Sequence, residues 1–104
     1  KLAIDLYKLT RSMPKEEVYG LTSQMRRAAI SISSNIAEGC SRSSNKEFIR
    51  FLEISIGSAF ELETQLIISE ELEFLDANEV KSIIDRLENL QMKINSFIKS
   101  VKKF

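Results

Sequence analysis

The sequence contains no histidine, no tryptophan, one cysteine, one proline and three glycines in 104 residues. Each shortage removes a class of chemistry. Without imidazole, catalytic triads, histidine acid–base schemes and the usual zinc ligand sets are excluded. Cys40 alone closes no intramolecular disulfide, in keeping with a reducing compartment. So few turn-forming residues argue against an all-β fold, while 43% apolar and 29% charged residues give too much buriable side chain for a disordered chain. No apolar run approaches the roughly 18–20 residues of a membrane span, and the opening KLAIDLYKLT carries charge where a secretory segment would be apolar. The expectation is a soluble, cytoplasmic, single-domain protein over residues 1–104, with no cofactor, no metal and no small-molecule substrate.

What is present is helical periodicity. Leu2, Leu6, Leu9 and Met13 recur at spacings of 4, 3 and 4 until Pro14, which predicts a helix over about 1–12. Because the chain opens with Lys1, that helix is expected to begin upstream. Leu21, Met25, Ala28, Ile32 and Asn35 predict a second helix over 22–40, with Gly39 placed to end it. Ala28, Ala29, Ser31, Ser33 and Ser34 are small enough to let another helix approach closely. Ser44 and Glu47 read as a capping box that opens a third helix over 45–74. It carries a core stripe, Phe48, Leu52, Ser55, Ala59, Leu62, Leu66 and Ser69, and a second stripe, Ile49, Ile56, Phe60 and Ile67. Leu75 and Val80 bracket Asp76 and Glu79 as staple, cap and capping-box partner for a fourth helix over 77–102. The 4-3-4-3-4 series Ile83, Leu87, Leu90, Ile94, Phe97 and Val101 predicts its coiled-coil-like seam.

Short links force neighbouring helices antiparallel, so the predicted fold is all-α, an antiparallel up-down-up-down four-helix bundle. Helix lengths are unequal: about 46 and 40 Å for the third and fourth against about 18 Å for the first, at 1.5 Å per residue. Some apolar surface on the long pair therefore lacks an intrachain cover. Either the protein self-associates, or residues upstream of Lys1 complete the first helix.

Charge sums to zero but is segregated. Residues 21–50 carry Arg26, Arg27, Arg42, Lys46 and Arg50 against Glu38 and Glu47, residues 51–80 carry eight acids and no base, and residues 81–104 carry six bases and two acids. Such blocks are solvated faces, orient subunits, or attract a polyanion. The five bases of residues 21–50 are the candidate nucleic-acid-binding patch, since guanidinium forks suit phosphate oxygens; contact led by the phosphate backbone would be salt-sensitive. Lys99, Lys102 and Lys103 form a weaker one. Gln24, Asn35 and Glu38 form a candidate polar cluster on the second helix, either a recognition pocket or a structural device in which Glu38 pairs with an arginine and Asn35 fixes register. Glu61, Glu63, Glu70, Glu71 and Glu73 read as surface carboxylates, and no serine has a base beside it to activate it. Enzymatic function is not expected.

The runs Leu21-Thr22-Ser23-Gln24-Met25-Arg26-Arg27-Ala28-Ala29 and Ser34-Asn35-Ile36-Ala37-Glu38-Gly39, followed by Arg42, Lys46-Glu47-Phe48, Gly57-Ser58 and Glu61-Leu62-Glu63-Thr64-Gln65-Leu66, closely resemble a known family. It is the four-helix bundle proteins encoded within intervening sequences of bacterial 23S ribosomal RNA genes. The resemblance covers nearly the whole chain. It implies a small antiparallel bundle assembling as a homopentameric ring, with relatives that include the nucleic-acid-associated accessory protein of diversity-generating retroelements. Carried over by position, it singles out Gln24, Arg26, Arg27, Asn35, Glu38, Arg42 and Lys46. Two functions follow as expectations: an RNA- or DNA-associated accessory factor, or an interaction scaffold that docks a partner through the apolar stripe of the third helix.

Overall fold

The computed structural model describes residues 1–102, which form helices α1 (Leu2–Leu9), α2 (Leu21–Cys40), α3 (Asn45–Glu71) and α4 (Ala77–Lys102). Short 3-10 turns at Thr10–Ser12 and Lys15–Glu17 lie between α1 and α2. No strand occurs among the described residues. α2 packs most extensively on α3, α3 on α4, and α1 on α2 and α4, giving the up-down-up-down bundle in an envelope of 47 × 23 × 19 Å.

The ends of the helices follow local chemistry. α1 stops at Leu9, short of the expected residue 12, because the last turn tightens: Thr10 Oγ1 donates to Leu6 O at 2.9 Å and Ser12 Oγ to Leu9 O at 3.0 Å. Met13, ahead of Pro14, is extended. Gly39 does not end α2, which runs on to Cys40. Its role is close approach: a Cβ there would lie 3.0 Å from the Phe48 ring and 3.1 Å from Phe51 Cβ. The capping box of α3 is one-sided. Ser44 Oγ accepts from Glu47 N at 3.1 Å, but the Glu47 carboxylate faces Arg42 at 3.8 Å.

α3 ends at Glu71, three residues before the expected boundary, in a Schellman motif. Phe74 N donates to Ser69 O and Glu73 N to Glu70 O, both at 2.9 Å, and Glu73 takes the left-handed conformation at φ 62°. Glycine is the usual residue there, so the sequence carried no stop signal. The start of α4 is as expected: Asp76 Oδ2 accepts from Asn78 N and Glu79 N at 3.0 and 3.1 Å, between buried Leu75 and Val80.

The core has two parts. The upper part joins all four helices through Leu6, Met25, Ile32, Leu62, Leu66 and Leu87. The lower part, Leu52, Ile94 and Ile98, rests on α2, α3 and α4, with Phe48 edge-on to Phe97 at 5.5 Å. α2 and α3 meet through small residues, Ala28, Ala29 and Ala59, and two serine links join them: Ser55 Oγ donates to Ile32 O at 2.9 Å and Ser31 Oγ lies 2.8 Å from Ser58 Oγ.

The seam of α4 differs from the heptad reading. Val80, Ile83, Leu87, Gln91, Ile94 and Ile98 are buried, while Leu90 and Val101 are half-buried and Phe97 is exposed. A straight helix turns 3.6 residues per cycle, so a 3.5-residue stripe drifts off the core by about 20° per heptad, and Gln91 and Ile98 rotate in. The second stripe of α3 divides as well. Ile49 and Ile56 cover the lower core, but Phe60 and Ile67 remain 53% and 41% exposed.

Candidate functional site

The five basic residues do not form one patch. Arg26 and Arg27 sit near the start of α2, and Arg42, Lys46 and Arg50 surround its far end, about 24 Å away along the axis at 1.5 Å per residue. The register places Arg26 and Arg27 level with the last third of α3, since Met25 Sδ lies 3.8 Å from Ser69 Oγ. Arg50 is at the other end.

Nor are the five equivalent. Arg26 is committed to the fold: Nε donates to Thr10 Oγ1 at 2.9 Å and Nη2 to Tyr7 O at 3.4 Å, with the guanidinium 4.6 Å from the Tyr7 ring centroid. Arg42 bonds the Glu38 carboxylate one turn earlier, faces Glu47 and lies over the Phe51 ring at 4.9 Å. Arg50 approaches the same ring at 5.9 Å. Arg27, Lys46 and Arg50 are exposed and form no ion pair among the described residues. The turn joining α2 to α3 and the first turns of α3 thus carry two arginines at one aromatic ring, with Lys46 exposed between them in sequence. Lys99 and Lys102 are in the last turn of α4, and Lys103 lies outside the described residues.

The polar cluster also separates. Asn35 Nδ2 donates to Ser31 O at 2.8 Å and Ser31 Oγ at 2.9 Å, extending the Ser31–Ser58 link between α2 and α3. Glu38 turns to Arg42, and Gln24 is exposed three helical turns from Asn35. Glu38 is thus paired with an arginine, and both bonds of Asn35 stay within α2. No group of carboxylates or cysteine that could hold a metal ion occurs among the described residues, and no helix there is long and apolar enough to cross a membrane.

Two surfaces stand out. One is the outer face of α3, where Ile54, Gly57, Phe60, Thr64, Ile67 and Ile68 follow helical spacing and are exposed. The charges among them, Glu53, Glu61 and Glu71, are all acidic. Nothing lies within 4 Å of a Cβ built on Gly57.

The other runs across α1 and the first half of α2. Three adjoining clefts of about 300, 500 and 250 Å³ share Tyr7, Arg11, Val18, Thr22 and Arg26 along their walls. Exposed Ile4 and Ile30 lie at its two edges, and Lys8, Arg11, Lys15 and Arg27 make it basic. This face was invisible in the sequence, because it depends on Arg26 pinning α1 to α2 across 16 residues. A second tie closes α1 onto α4. Arg86 Nη1 donates to Asp5 Oδ2 at 2.7 Å, and that bond holds the Asp5 carboxyl below its ordinary pKa.

Comparison with known proteins agrees with this architecture. A solved structure from Bacteroides thetaiotaomicron, described as a protein of unknown function from the S23 ribosomal protein family, superposes with a TM-score of 0.82 at 26% identity, over 93% of this chain and 88% of that one. No curated protein matches. The family model for the 23S rRNA-intervening sequence protein matches residues 1–96. The chain therefore belongs to the 23S rRNA-intervening sequence protein family.

Proposed function

We propose that this protein is a non-enzymatic assembly subunit, a helical bundle that self-associates through the outer face of α3 into a ring, of five copies as the resemblance implies. The observation that carries this reading is the row of exposed apolar residues on a well-formed helix, with Phe60 53% and Ile68 42% exposed. A contiguous apolar face of that kind on a small domain marks an interaction surface. Gly57 adds to it. A mid-helix glycine costs about 1 kcal/mol relative to alanine, and a Cβ at this one would meet no neighbouring element within 4 Å, which suits close approach by another chain.

A second reading rests on the α2–α3 turn. Arg42 and Arg50 at the Phe51 ring, with exposed Lys46 on the same stretch of chain, offer cations to phosphate oxygens of RNA or DNA, and an assembled ring would repeat that site in every copy. Light scattering coupled to size exclusion, with and without RNA at two salt concentrations, tests both. Self-association requires a mass several times that of the protomer, and a protein that stays monomeric at high concentration contradicts it. Nucleic-acid association requires a shift with RNA that weakens as salt rises and is lost in Lys46→Ala with Arg50→Ala.

A further inference from the structure

We infer that the outer face of α3 docks onto the α1–α2 face of a second copy of this chain, head to tail; this rests on the self-association proposed above and names its two surfaces. Charge is the first argument. From Phe51 to the end of α3 there is no basic residue, so pairing α3 with α3 would set Glu53, Glu61 and Glu71 against their own copies. The α1–α2 face has the opposite character, with Lys8, Arg11, Lys15 and Arg27 set among exposed apolar side chains. The acids near it are in the loop, Glu16 and Glu17, and Glu17 Oε1 already accepts from Leu21 N at 3.4 Å.

Shape is the second argument. On α3, Gly57 and Thr64 form a low line flanked by Phe60 and Ile67 on one side and Ile54 and Ile68 on the other. On the opposite face the clefts beside Tyr7 and Val18 are open and partly apolar. A ridge of large side chains on one copy meets recesses on the next.

Placement is the third. α1 and α3 both pack on α2 and α4, so their exposed faces point away from each other on opposite sides of the bundle. Both faces lie at the same level of the long axis: Tyr7 contacts Arg26, and Ser58 and Ser69 of α3 contact Ser31 and Met25 of the same stretch of α2. Joining them moves each copy sideways with little axial offset, as a closed ring requires and a two-fold dimer does not.

The experiment uses two full-length variants, each blocked on one face. Phe60→Asp with Ile67→Asp blocks α3, and Ile4→Asp with Ile30→Asp blocks the α1–α2 face; all four residues are exposed, and helicity by circular dichroism confirms each fold. Each variant alone is expected to lose assembly and run as a monomer. Mixed, they retain one intact face of each kind and are expected to form a one-to-one complex of twice the protomer mass. A monomeric wild type overturns the self-association reading itself. An assembling wild type overturns this pairing alone if the Ile4→Asp, Ile30→Asp variant still assembles, or if the mixture stays monomeric.

Discussion

Gly39 lies against Phe48 so closely that a methyl group on it would sit 3.0 Å from the ring, whereas a methyl group on Gly57, in the next helix, would meet nothing within 4 Å. The same substitution should therefore act with opposite sign at the two positions. Gly39→Ala gains helix propensity but drives a Cβ into Phe51 Cβ and the Phe48 carbonyl, atoms anchored to the backbone, and overpacking of this kind costs about 1–3 kcal/mol. Gly57→Ala should stabilise the protomer by about 1 kcal/mol. Urea denaturation of both variants checks the signs, and Gly57→Ala should weaken assembly while it strengthens the fold.

Glu73 occupies the left-handed position that ends α3. A side chain there costs about 1–2 kcal/mol that glycine does not. Glu73→Gly should raise the denaturation midpoint, with a net gain reduced by the greater freedom of glycine in the unfolded chain. An unchanged midpoint would show that this conformation is not strained.

Adjacent arginines should behave differently. Arg26→Ala removes the bonds to Thr10 and Tyr7 that hold α1 on α2, a loss of about 1–2 kcal/mol. Arg27→Ala, exposed and without an ion pair among the described residues, should change protomer stability by less than about 0.5 kcal/mol. Thermal melts of the two single variants at a concentration where the protein is monomeric decide this.

Asp5 and Arg86 give a pH signature. The arginine lowers the Asp5 pKa in the folded state, so its contribution is present above the unfolded-state value and is lost as pH falls through the folded one. Both side chains are partly exposed, so the effect is small and screened by salt. Asp5→Asn should melt below the wild type at neutral pH, with the difference vanishing in acid. A difference that is constant with pH would contradict the assignment.

The helices were legible because long periodic stripes and strong caps speak locally. Asp76 with its Leu75–Val80 staple marked the start of α4 correctly, and the small residues of α2 announced a close neighbour. Errors arose where the decisive contact is distant or unusual. Gly39 has the composition of a helix stop, but Phe48 and Phe51 decide its role. Glu73 ends α3 without the glycine that would have revealed it. The cationic residues were grouped by sequence proximity, yet a helix of 20 residues separates its two ends by about 30 Å. No local pattern encodes the bonds of Arg26 to Thr10 and Tyr7 across 16 and 19 residues, so the basic α1–α2 face emerged only from the packing.

Self-association through the outer face of α3 is tested most directly by sedimentation velocity on the wild type beside Phe60→Asp with Ile67→Asp, at matched concentration and moderate salt. The wild type is expected to sediment as an oligomer and the variant as a fully helical monomer. A wild type that sediments as a monomer, or a variant that sediments with the wild type, would contradict association through this face.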